Sequence, residues 1–157
     1  MARTGGPGEG DRTMSPRGFS LIELMAVVVI AALLAALAVP AWHEHLRRGW
    51  RAQARAELAS ALLELERHAA ATMSFARQPG DDTVAGDWPR PVPATGQARH
   101  VMSATPCPAA SLDACVELRA TPRQPDRQCG VLILRSTGQW LSWPENADRP
   151  GPLPADC

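Results

Sequence analysis

Four groups of side chains in this 157-residue sequence could do chemistry: one glutamate beside an uncharged apolar run, a cluster of arginines, four cysteines and four histidines. Glu23 stands at the mouth of the run Ala26 to Val39, which carries no charge. Burying an ionised carboxylate in hydrocarbon costs roughly 2.5 kcal/mol or more, so Glu23 needs a partner or a reason to stay near the surface. Arg47, Arg48, Arg51 and Arg55 are candidate contacts for DNA phosphates or anionic lipid headgroups. Arg47, Arg51 and Arg55 repel one another at i,i+4 spacing, and the plain alternative is a solvated helix face. No G-x-S-x-G, H-E-x-x-H or P-loop occurs. His68 and His100 read as isolated surface residues. The residues point to no enzyme and no cofactor.

Metal binding finds no spacing to support it. There is no C-x-x-C, and His43 and His45 point to different faces of a helix. All four cysteines lie after residue 106, which suggests an oxidising compartment for the second half of the chain. Formal net charge is zero, so no global field steers the molecule to nucleic acid. Every basic residue other than histidine is arginine.

The elements that must position these residues follow from pattern. Residues 1–18 are polar and rich in Gly, Pro and Arg, and cannot form a core. Met14 is an alternative start, which leaves the leader MSPRG. The apolar stretch Leu24 to Ala41 is about 18 residues long, near the lower length for a membrane-spanning helix, and Pro40 predicts a kink without an end. Residues 42–76 predict an amphipathic helix. Trp42, Leu46, Trp50, Ala54, Leu58, Leu62, Leu65, Ala69 and Met73 recur at helical spacing. The opposite face carries Glu44, Arg47, Arg48, Arg51, Arg55, Glu64, Glu66 and Arg67. Residues 77–98 read as a Pro/Gly-punctuated loop that Trp88 could pin. Strands are expected at 100–104, 115–121, 129–136 and 140–143, joined by short turns as an antiparallel meander on the apolar stripe. The tail from Pro144 to Cys157 reads as irregular.

Strand geometry separates the three ways of pairing four cysteines. A hairpin centred near Ser111 puts Cys107 opposite Cys115, within disulfide reach. Pairing the next two strands around Pro125 puts residue 121 opposite 129 and Cys115 opposite Arg135. That disfavours Cys115–Cys129 and leaves Cys129 for Cys157. In the chain-entropy model the two closures are worth about 2.6 and about 3.6 kcal/mol.

The segment "RGFSLIELMAVVVIAALLAALAVP" resembles the prepilin signal of type IV pilins and type II secretion pseudopilins. The match is Arg17, Gly18, Phe19, Glu23 and Pro40. "ACVELRATPRQPDRQCGVLILRSTGQW", Ala114 to Trp140, is similar to PilE-type minor pilins. The resemblance implies that a prepilin peptidase cuts after Gly18 and that Phe19 is then N-methylated. It implies that the apolar helix moves from membrane lipid into a filament core, where Glu23 pairs with the N-terminal amine of a neighbouring subunit. A lone buried charge is costly and a paired one sets register. A secretory signal peptide cut near Ala36–Ala38 is the rival reading of the same segment. Glu23 and the uninterrupted run into an amphipathic helix argue against it, and a generic single-span anchor leaves the Gly-Phe-x-x-x-Glu spacing unexplained.

The expectation is an α+β pilin-like fold with a long N-terminal helix on a small antiparallel sheet. It divides into a leader at 1–18, a membrane or filament-core helix at 19–41, an amphipathic half at 42–76, and a disulfide-stapled sheet region at 77–157. The expected function is a structural, minor subunit of a type IV pilus. The alternatives are a type II secretion pseudopilin and a DNA-binding pilin of a natural-transformation system. The expected partners are other pilin subunits, prepilin peptidase, an inner-membrane assembly platform and membrane lipid, with DNA under the last alternative. The expected location is the bacterial inner membrane with a periplasmic C-terminal domain, then the cell-surface filament.

Overall fold

The computed structural model describes residues 19–157. The leader, with Met14, Arg17 and Gly18, lies outside the described residues. One helix, α1, spans Leu21–Thr72 and is assigned through Pro40. Six strands follow: β1 (Arg90–Val92), β2 (His100–Pro106), β3 (Val116–Pro122), β4 (Val131–Arg135), β5 (Trp140–Trp143) and β6 (Gly151–Pro152). The chain divides into two compact units, the first ending at Ala41 and the second running from Trp42 to Cys157.

In the first unit the carbonyl of Ser20 accepts the first helical bond, from the Leu24 amide at 3.1 Å. Ser20 is thus the N-cap, and Glu23 sits three residues on. That spacing matches the S-x-x-E of a capping box without its side-chain hydrogen bonds, and an anion in the first turn is favoured by the helix dipole. Glu23 therefore has a local reason to stand where it does. The helix is long and apolar enough to cross a membrane. Its large side chains, Leu21, Ile22, Val27, Ile30, Leu33 and Leu37 among them, are exposed.

The second unit is built on the stripe of α1, but only its middle. Ala54, Leu58, Ala61, Leu62 and Leu65 are buried, while Trp42 and Met73 stay exposed. The helix stops four residues short of the expected Ala76. Met73 takes a φ of 63°, and its amide closes the last turn on the Ala69 carbonyl at 2.7 Å. A left-handed residue is a common way to end a helix. The chain then turns so that the Phe75 amide reaches the Leu112 carbonyl and Ala76 bridges Val84.

The sheet is a single antiparallel meander in the order β1-β2-β3-β4-β5-β6. Met102, Val116, Leu118, Ala120, Leu132 and Leu134 join the helix stripe in one core. Two strands fall where none was expected: β1 inside the 77–98 loop, and β6 in the tail. Both carry proline, which suits an edge strand because an edge does not need every amide. The β3–β4 register also differs from the expected one. Glu117, not Cys115, faces Arg135. The reason is the turn before β4, where the Gly130 amide closes on the Asp126 carbonyl at 2.9 Å and delays the strand to Val131. A two-residue shift keeps every side chain on its face. Gly130 has a φ of 58°, and a Cβ there would collide with the Trp143 backbone, so glycine is required.

The structure joins Cys107 to Cys115 and Cys129 to Cys157, with Cα–Cα distances of 5.4 and 5.6 Å. The first closes the β2–β3 hairpin. The second ties the tail to the start of β4, and Cys157 is buried. Glu117 is buried on the sheet and held by Arg119 at 2.6 Å and Arg135 at 2.7 Å.

Candidate functional site

The four arginines singled out in the sequence do not act together. Arg48 is exposed and lies 3.6 Å from Glu44, one turn earlier. Arg55 is half-buried, and Arg47 is exposed. Arg51 is 2 % exposed, which removes it from the expected solvent-facing phosphate contacts. Its Nε and Nη2 donate to the two carboxylate oxygens of Asp126, each at 2.8 Å. Its Nη1 lies near Glu44, Gln128 and the Asp156 carbonyl. A bidentate guanidinium–carboxylate pair is the geometry in which arginine is strongest.

Asp126 arrives in the loop between β3 and β4. Burial alone would raise its carboxyl pKa. The Arg51 hydrogen bonds and the amides of Cys129 and Gln128 more than offset that and hold it below its ordinary value. The same hydrogen bonds raise Arg51 against its own burial. So this pair is a fixed, neutralised strut from α1 to the β3–β4 loop, and its charge is spent internally.

Beside the strut lies a cleft of about 550 Å³, lined among others by Arg47, Trp50, Arg99, His100 and Arg123. Arg99 and Arg123 escaped the sequence reading. They continue the β2–β3 ladder by one step, since His100 pairs with Pro122 and the Arg123 amide donates to the Arg99 carbonyl at 2.8 Å. The Arg99 amide in turn donates to the Val92 carbonyl at 2.7 Å. The two guanidinium stems therefore spring from neighbouring, pinned backbone. Arg99 stacks on the Trp50 ring, 4.3 Å from its centroid. Among the described residues, no carboxylate pairs with Arg47, Arg99 or Arg123.

His100 corrects the surface reading: it is 4 % exposed and lines the cleft. Burial lowers its pKa, Asp126 pulls the other way and Arg51 adds to the lowering, so the ring is held neutral. Its Nδ1 has no hydrogen-bond partner. His68 is also not a free surface residue, for its Nε2 lies 2.8 Å from the Ala76 carbonyl. Among the described residues no group of three or more His, Cys, Asp or Glu could hold a metal ion. The lining holds four arginines against the single carboxylate of Asp126. The excess of basic over acidic side chains gives the cleft a locally positive lining.

In the first unit Glu23 and Phe19 are exposed on the apolar helix and its start. Pro40 lies within the helix.

Three comparisons with known proteins bear on these surfaces. The family described as type IV minor pilin ComP, DNA uptake sequence receptor, matches residues 40–133. The prokaryotic N-terminal methylation motif matches residues 13–39. A fimbrial protein of Neisseria meningitidis serogroup B (strain ATCC BAA-335 / MC58) is 36% identical over 74 residues, covering 45% of this chain and 39% of its own length. The chain thus spans about two fifths of that curated relative. No solved structure gives a significant match.

Proposed function

We infer that the arginine cleft holds DNA, on the premise that the chain belongs to the ComP family of type IV minor pilins. It is a minor subunit of a type IV pilus, with a membrane-anchoring apolar helix and a methylation motif over it. Its assembly partners are other pilins.

The observation that carries the DNA reading is the trio Arg47, Arg99 and Arg123, set around one cleft with no carboxylate partner among the described residues, in a molecule of zero net charge. Arg47 and Arg123 are exposed and Arg99 is half-buried; arginines are among the usual donors to DNA phosphates, and the energy of such contacts comes from released counterions. The description of the matched family, a DNA uptake sequence receptor, supports the same reading. It also favours the pilus over the secretion pseudopilus. Lipid headgroups would be served as well by Arg48 and Arg55, which lie outside the cleft. For the N-terminal region the proposal keeps the leader at 1–18, cleavage after Gly18, methylation of Phe19 and a neighbour's amine as the partner of Glu23. Prepilin peptidase and an inner-membrane platform are the proposed handlers, with the second unit on the periplasmic side before assembly.

The test is duplex-DNA binding by the full chain in detergent, followed by fluorescence anisotropy. Arg99→Ala and Arg123→Ala should each weaken binding and lower the salt slope by about one. Arg67→Ala, on another part of the helix, should do neither. If Arg99→Ala and Arg123→Ala bind as wild type does, the cleft is not the DNA site.

A further inference from the structure

Resting on that reading, we propose that the cleft takes up one unstacked nucleotide, its base against the Trp50–Arg99 stack and over His100, and its flanking phosphates on Arg47 and Arg123. A surface that only tracks a duplex backbone needs charge without depth. This site is a half-open cleft and not a flat face. Its volume of about 550 Å³ falls within the range of pockets that enclose a small molecule, about 300 to 1,000 Å³. Its walls are those of a nucleobase site. Bases stack on aromatic rings and on guanidinium planes, and here the two are already stacked on each other at 4.3 Å. Pro91, Ala98, Pro122 and Pro125 supply further apolar lining.

The second, independent observation is His100. Its Nδ1 is the one buried side-chain polar atom without a hydrogen-bond partner among the described residues. Buried polar groups are almost always paired, and an orphan invites an explanation. Arg51 cannot supply one, because its donors are turned to Asp126, Gln128 and Asp156. A neutral imidazole offers one donor and one acceptor; Nδ1 is covered in this structure, so the edge of a base meets it only when the cleft lining gives way. The ring stays neutral because burial lowers its pKa. The positive charge in the cleft is left to Arg47, Arg99 and Arg123.

The chemistry named is a nucleoside phosphate. It can come from a free nucleotide or from a strand with one base swung out of its stack. Extrusion from a paired duplex is costly, and least so for a base that is already unpaired. That gives a signature no phosphate-only surface has.

The experiment uses the full chain in detergent and three sets of probes: a fully paired duplex, the same duplex with one bulged nucleotide, and deoxynucleoside monophosphates beside inorganic phosphate as competitors. The bulged duplex should bind at least tenfold more tightly than the paired one. Monophosphates should displace it at concentrations where inorganic phosphate does not. Trp50→Ala and His100→Phe should each cut that tenfold preference and the competition. If the paired duplex binds but bulge and paired bind equally, and monophosphates compete no better than phosphate, the pocket proposal is overturned and the DNA reading stands. Direct binding of monophosphates, read from the chain's tryptophan fluorescence, with no duplex binding at all would keep the pocket, make its ligand a free nucleotide, and remove the DNA reading. Binding of none of the probes would remove both.

Discussion

Arg51 and Asp126 show how one residue can be mistaken for its neighbours. By type and spacing Arg51 belongs with Arg47, Arg48 and Arg55. Its surroundings give it a different job, as half of a buried strut. Breaking such a pair from one side strands the other charge, at about 3–5 kcal/mol. Arg51→Ala should therefore lower stability by that order, while a Met–Leu replacement of the pair should cost far less. Urea unfolding of the full chain in detergent, followed by tryptophan fluorescence, distinguishes the two. Equal losses would mean that the ion pair itself, not its completeness, holds the loop. The strut also sets a pH dependence. His100 and Asp126 both sit below their ordinary pKa values in the fold. The unfolded chain therefore takes up each proton first as pH falls, and stability drops with it. The loss should begin below about 6.5 for His100 and below about 3.9 for Asp126. Each is complete once pH passes the folded value. A His100→Asn chain should show a flat unfolding midpoint between pH 7 and pH 5, where wild type slopes. Parallel profiles would remove His100 from this account.

At the scale of elements, α1 is two helices in chemistry and one in backbone course, with one helical bond missing at Pro40. Its first part exposes apolar side chains, and its second carries the core stripe Ala54 to Leu65. Glu23 belongs to the first part. It complements its own helix terminus, and in a filament it would also face a neighbour's amine. Glu23→Ala should leave cleavage after Gly18 intact and reduce the fraction of this subunit recovered in sheared pili relative to the membrane. Wild-type recovery would reduce Glu23 to a charge favoured by the helix dipole. Much of this was legible in the sequence, because the apolar run, the stripe and four strands follow from period alone. The helix end was not, since nothing in "ATMSFA" announces that Met73 will turn left-handed. Nor were β1 and β6, whose prolines read as loop. Arg99 and Arg123 are the instructive case. Placing Cys107 opposite Cys115 already fixes a register that puts 99 opposite 123. The signal was there, but it lay in pairing rather than in any run of charge, while Arg47 and Arg51 drew the eye by being close in sequence.

The whole molecule carries no net charge, so any hold on DNA must come from local arrangement. The first unit offers an apolar rod that suits a membrane or a filament core. The second offers a cleft that Arg99 and Arg123 enter from pinned backbone and Arg47 from α1, none of them paired with a carboxylate among the described residues. A minor pilin built this way would carry a small polyanion site on a filament made mostly of other subunits. That site is the central claim, and the salt dependence of duplex binding tests it most directly. The measurement is log K against log salt for the full chain in detergent, beside the Arg47→Ala/Arg99→Ala/Arg123→Ala chain. Each lost phosphate contact should remove about 0.9 from the slope, so the triple variant should be shallower by about two to three. Its unfolding midpoint should stay near wild type, lowered only by loss of the Arg99–Trp50 stack, about 0.5–1 kcal/mol, because Arg51 and Asp126 are untouched. A triple variant that keeps the wild-type slope and affinity would contradict the account.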